Sequence, residues 1–167
     1  MMLVFRRTVI LLGVVAFAAS IDITSASAEC SLSGPPTSVM KSINKTAEII
    51  SQGKADELDQ FAEKNFQAIG AGNQPLQNKE SFKKSLDNIK KNPFASCNIY
   101  APIINVYGNF ATGTFALVLY ENKPASARPY TVMYPLIVLR RATEDTPWSL
   151  QELHISLIRH ATDVSLK

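Results

Sequence analysis

The spacing of apolar residues changes once along this chain, and that change constrains the fold more than any single residue does. Between residues 38 and 91 the apolar side chains recur three or four positions apart; from Cys97 onward they recur at every second position. The first spacing is that of a helix lying on a core, the second that of a half-buried strand. Helices that precede the strands, rather than alternating with them, give an α+β arrangement. The helices must then share one face of a curled antiparallel sheet.

Three helices are expected. In the first, over 38–52, Val39, Ile43, Ala47 and Ile50 form the stripe. Thr37 or Ser38 caps it and Gly53 ends it. The second begins near Ala55, with Asp56 and Glu57 in its first turn and Leu58, Phe61 and Ala62 facing inward. Its pattern either continues through Phe66 and Ile69 or gives way to a short strand at 66–69. Gly70 to Pro75 has the composition of a loop. Asn78 then caps a third helix over 79–91 that buries Phe82, Leu86 and Ile89 and stops before Pro93.

The strands follow. Ile99–Tyr107 and Phe110–Glu121 flank Gly108-Asn109, a pair suited to a two-residue hairpin turn. Asn122 to Ala127 is a loop. Arg128–Arg141 is apolar on both faces, so each face needs a cover, and Pro135 within it predicts a bulge or bend. The closing strand from Trp148 places Leu153, Ile155 and Leu157 on one parity and Trp148, Leu150, Glu152, His154 and Ser156 on the other. One sheet face takes the helices, and the apolar content of the other calls for a partner subunit.

The N-terminus has a separate meaning. Arg6 and Arg7 precede an apolar run from Thr8 to Ala19, and Ala26-Ser-Ala28 follows. Together these read as a secretory signal peptide (1–28) cleaved between Ala28 and Glu29. The run of about 12 residues is too short for a permanent membrane anchor. Residues 29–37 then form an N-terminal segment, 38–160 the domain and 161–167 a tail, in a periplasmic or secreted protein. Only Cys30 and Cys97 are available, and in an oxidising compartment they are expected to pair. Closing that loop is worth roughly 4 kcal/mol in the chain-entropy model. The formal charge of +3 falls to +2 once Arg6, Arg7 and Asp22 are removed, which gives no reason to invoke nucleic acid. Lys79, Lys83, Lys84, Lys90 and Lys91 read as the solvated face of the third helix.

Particular residues also carry a resemblance. Phe61-Ala-Glu-Lys-Asn-Phe66, Asn78-Lys-Glu-Ser-Phe82 and Trp148-x-Leu150-x-Glu152-x-His154-x-Ser156 resemble segments of the nuclear transport factor 2-like superfamily. The SnoaL-like and ketosteroid isomerase-like branch is the nearest in pattern. The resemblance implies a cone-shaped, cystatin-like α+β barrel. It also implies a short strand at 66–69, a pocket at the open end of the cone, and a homodimer through the opposite sheet face. Two positions depart from the family pattern. Lys64 stands where a second acidic residue is usual, and Glu152 where a histidine is usual.

Glu152 and His154 lie two residues apart, roughly 6 to 7 Å along a strand. With Tyr120 or Tyr134 supplying a phenol, the pair could move a proton beside a carbonyl. The plainer reading is a polar pair on the outer or dimer-facing side. Tyr100, Tyr107 and Tyr130 read as strand packing, and His160 as a residue beyond the closing strand. Two histidines are too few for a metal site, no phosphate-cradling loop or nucleophile elbow is present, and no cofactor is expected. The expected function is a non-catalytic module that binds a small apolar ligand or dimerises. The alternatives are an isomerase or lyase using His154, Glu152 and a tyrosine, and an accessory domain of an envelope assembly.

Overall fold

The computed structural model describes residues 30–32, 37–70, 75–122 and 130–161. The expected cleavage site at Ala28 and Glu29, most of the two loops and of the tail, and the side chains of Tyr130 and His160 lie outside the described residues. The elements in chain order are β1 (Ser31–Leu32), α1 (Ser38–Gln52), α2 (Ala55–Phe61), β2 (Ala62–Ile69), β3 (Leu76–Asn78), α3 (Lys79–Lys91), β4 (Ser96–Tyr107), β5 (Phe110–Tyr120), β6 (Tyr130–Arg140) and β7 (Ser149–Ala161). The strands form one open sheet in the order β1-β4-β5-β6-β7-β2-β3. Three helices on a curled, mostly antiparallel sheet is the architecture that the change of spacing requires. The short β1 and β3 fall where the sequence assigns no regular element, in the N-terminal segment 29–37 and between the loop ending at Pro75 and the third helix. The β1–β4 and β2–β7 pairings are parallel, which the long stretches of chain between the partners allow.

The helix ends follow their capping residues. The Thr37 hydroxyl accepts from the backbone N–H of Met40 at 3.2 Å, and the Asn78 side chain accepts from Ser81 N–H at 2.9 Å. Gly53 closes α1 in the left-handed region (φ 64°). α2 stops at Phe61 and the chain extends at once into β2, so the strand alternative holds and begins four residues earlier than expected. Phe66 is thereby turned inward, its ring 5.7 Å from that of Phe82.

The core lies between the helices and the concave sheet face. Ile43, Ile50, Leu58, Phe66, Leu86, Phe115, Leu117, Ile137 and Leu139 are all fully buried there. Burying each such side chain contributes about 1.5–3 kcal/mol. Helix α1 sits so close to the sheet that a Cβ on Gly113 would lie 3.1 Å from Ile43 Cδ1 and 3.2 Å from Ile137 Cγ1. At that level the space between α1 and the sheet is filled by hydrocarbon. A disulfide joins Cys30 to Cys97, tying the segment ahead of α1 to the first long strand.

Two expectations about strands need correction. Pro135 does not bulge its own strand: it is buried and opposes Ile155 of β7. The register shifts lie on either side of it, at Val132/Met133 and Val138/Leu139. Its missing N–H shows instead on the β5 side, where pairing lapses between Thr114↔Leu136 and Leu117↔Met133. The parity of β7 is also broken. Leu150 pairs with Leu139 and Glu152 with Val138, which leaves Gln151 as an extra residue. Leu150 and Leu153 therefore both face the core, while Glu152 and His154 face outward. Trp148 and Leu150 do not share a face with that pair.

Candidate functional site

The convex sheet face is built by alternation. On β5, Ala111, Gly113, Phe115, Leu117 and Leu119 point to the helices, so Phe110, Thr112, Thr114, Ala116, Val118 and Tyr120 point away. Register carries this assignment across the sheet. Val132, Tyr134, Leu136 and Val138 of β6 face outward, as do Tyr100, Ile103, Asn105 and Tyr107 of β4. Strand β4 reaches this phase through a bulge after Tyr100, where Ala101 adopts φ 46°. Without that extra residue Ile99 and Ile104 could not both face inward.

The resulting surface is uncharged, largely apolar and well exposed. Ile103 is 63% exposed, Tyr107 66%, Tyr100 48%, Phe110 47% and Tyr134 47%. From β4 to β6 this face carries no charge until Arg140, whose guanidinium lies 5.7 Å from the centre of the Phe110 ring. An uncovered apolar sheet face of this breadth is the mark of an interaction surface.

Glu152 and His154 stand on the same face at the β7 side. His154 Nε2 lies 3.5 Å from Glu152 Oε2, and the side chains are 42% and 44% exposed. Tyr134, opposite Ser156, is a diagonal neighbour of His154. Tyr120 is also on this face, but it pairs with Ser96 and Tyr130 at the far end of β5. The structure thus brings together His154, Glu152 and Tyr134 on an open surface and leaves Tyr120 apart.

The interior carries no comparable group. Among the described residues the buried polar side chains are Ser42, Thr46, Ser51 and Thr131, none of them an acid or base near neutrality. Also among the described residues, no cluster of His, Cys, Asp or Glu could hold a metal ion, and no helix is long and apolar enough to cross a membrane. Glu63, in the segment that carries part of the resemblance, lies at the start of β2 with Arg140 4.0 Å away. Sequence reasoning missed the β4 bulge, for which Pro102 was the available signal, and the β7 bulge, for which there was none.

No protein-family model matches the sequence, and no curated protein matches it significantly. Solved structures do. The hub of the calcium/calmodulin-dependent kinase II from S. rosetta is 18% identical with a TM-score of 0.58, over 77% of this chain and 100% of that one. A nuclear transport factor 2-like protein with a cystatin-like fold from Novosphingobium aromaticivorans is 14% identical with a TM-score of 0.58, over 74% and 82%. A protein from Parabacteroides distasonis, provisionally named a ketosteroid isomerase, is 16% identical with a TM-score of 0.55, over 72% and 86%. These likenesses concern the backbone, and one backbone here serves a hub and a provisional isomerase alike. The curled sheet, the three helices and their order give this chain the nuclear transport factor 2-like fold.

Proposed function

We propose that the protein is an exported, non-catalytic module that works as a homodimer joined through the convex sheet face. The observation that carries this reading is the uncharged band across β4, β5 and β6 with its exposed Tyr100, Ile103, Tyr107, Phe110 and Tyr134. A two-fold interface sets one patch against its own copy, so a patch rich in one charge would repel itself. This band presents aromatic and branched side chains with the uncharged Thr112, Thr114 and Asn105 among them, while Arg140 lies at its hairpin end and Glu152 and His154 on the neighbouring β7. Aromatic anchors with charge confined to the rim are the usual composition of a stable interface. The kinase hub among the structural neighbours is an assembly domain on the same fold, which agrees with this use.

Residues 29–167, purified at about 10 μM, should run at twice the monomer mass by light scattering, the range in which a standard-sized interface is populated. Ile103→Asp should halve that mass with an unchanged far-ultraviolet spectrum. A monomer at about 100 μM would sink the reading, since an interface weaker than that falls outside the stable class.

An isomerase or lyase centre would need His154, Glu152 and a tyrosine in a dry, enclosed site. Here the pair is more than two-fifths exposed, so the geometry favours a polar margin to the interface over a reaction centre. A small apolar ligand would need room in the cone, and Gly113 shows how little remains beneath α1.

A further inference from the structure

The sheet is open, and its two edges differ. Strand β3 forms one edge with three residues and runs straight into α3. At the other edge β1 pairs only with Asn98 and Ile99, so among the described residues no strand lies beside β4 from Ile103 to Tyr107. Exposed sheet edges are usually guarded by lysine, proline or a bulge. Here the bulge at Ala101 and the proline at Pro102 come before this stretch, and β4 carries no charged residue anywhere along Ser96–Tyr107. Ile103, Val106 and Tyr107 are each more than half exposed.

The hairpin decides which backbone groups are spare. Tyr107 and Phe110 flank the two-residue turn and exchange their bonds with each other, and the same phase joins Asn105 to Thr112 and Ile103 to Thr114. The alternation of an antiparallel ladder then points the N–H and C=O of Ile104 and Val106 away from β5, toward the open edge. Groups in such a row are matched by another extended strand, and β4 itself has the sequence to supply one.

We propose that β4 pairs antiparallel with β4 of a second copy about a two-fold axis at Asn105. Ile104 then exchanges both backbone bonds with the partner's Val106, and Val106 with the partner's Ile104. No other register uses all of these groups. A shift one way sets Val106 against the partner's Pro102, which has no N–H. A shift the other way sets Ile104 against the partner's Gly108, which lies in the turn and whose carbonyl already accepts from Arg141. The side chains agree with the register. Ile103 meets the partner's Tyr107 on the convex side, a branched–aromatic pair of the favourable kind, and Ile104 meets the partner's Val106 on the opposite side. The two Asn105 amides face each other at the axis, where each can donate and accept. β4 brings no charge to the junction. The pairing extends the sheet and leaves the convex face open, so it is separate from the face dimer.

So short a junction belongs to the weak class of interfaces and fills only as the protein approaches millimolar concentration. Amide exchange of residues 29–167, read residue by residue by NMR at about 50 μM and about 1 mM, reports it. The Ile104 and Val106 amides should exchange about three-fold more slowly at the higher concentration, as for a dissociation constant near 0.1 mM. Val106→Pro removes one edge N–H without touching the β5 ladder, and Val106→Lys places a charge at a half-exposed position. Each should abolish the slowing at Ile104. Exchange of either wild-type amide that is equal at the two concentrations, whether fast or slow, would overturn the proposal. So would a slowing at Ile104 that survives either variant. Val106 pairs with the buried Ala111 and faces away from the convex band. The mass at about 10 μM therefore tests the face dimer and the exchange tests the edge, and either can fail alone.

Discussion

Gly53 and Ala101 are the residues at which backbone conformation decides most. Both have positive φ, at 64° and 46°, but only one is a glycine. At Gly53 a Cβ would collide with the backbone of Leu86 and Lys90, so the absent side chain lets α3 approach the end of α1. Gly53→Ala adds strain and a clash that backbone cannot easily relieve, and should lower stability by at least about 2 kcal/mol in urea unfolding. A change within about 0.5 kcal/mol would show that the two helices are not in fact held this close. Ala101 keeps its Cβ at a modest cost because its bulge resets the phase of β4.

At the scale of elements, one lysine bridges α1 and α2. Lys54 Nζ lies 2.9 Å from Glu57 of α2 and 3.7 Å from Glu48 of α1. The hydrogen bond to Glu57, followed by the two carboxylate charges, raises its pKa above the ordinary lysine value of 10.5. A raised lysine pKa means that the contribution is complete below the unfolded value and fades as pH climbs through the folded one. Lys54→Met should therefore cost the same small amount, about 0.5 kcal/mol for so accessible a pair, at pH 7 and pH 9. Its effect should shrink only above about 10.5. A penalty that already fell between pH 7 and pH 9 would show that the effect came from something other than this ammonium.

Elements were also what could be read in advance. The bounds of α1 and α3 were legible because stripe and cap agree at both, through Thr37 with Gly53 and Asn78 with Pro93. β2 was half legible: Phe61 and Phe66 fit a helix stripe as well as a strand, and only packing against Phe82 separates them. The faces of β7 were legible from Glu152 to Ile155, where Leu153 and Ile155 alternate with Glu152 and His154, but not across Gln151. A bulge at Gln151 changes no residue type, yet it separates Trp148 and Leu150 from Glu152 and His154. The outward position of the candidate pair follows from that one extra residue.

For the molecule as a whole, the two surfaces have distinct chemistry. The convex side is broad and largely apolar and is the face proposed to meet a second copy, whereas the other side packs α1, α2 and α3 over the core. The disulfide spans neither. It joins residues 67 positions apart at the C-terminal end of α1, where Ser51 Oγ lies 3.5 Å from Cys97 Sγ. Replacing both cysteines with serine should cost about 3–4 kcal/mol, since the unfolded chain regains the freedom of a long loop. Denaturant titration of the double variant checks this, and an unchanged midpoint would mean the cross-link constrains little in the unfolded chain.

The burial of that bond also sets an order of events. Cys30 is 5% exposed, Cys97 1% and the neighbouring Ser51 0%. With α1 settled on the sheet, an oxidant or reductant reaches the sulfurs only when that end of the fold opens locally. Burial therefore favours forming the cross-link before α1 docks, and afterwards it slows exchange, so that the protein carries a memory of where it folded. A chain that matured in a reducing compartment would close over two thiols and keep them, so the redox state of one buried pair distinguishes two histories of otherwise similar molecules.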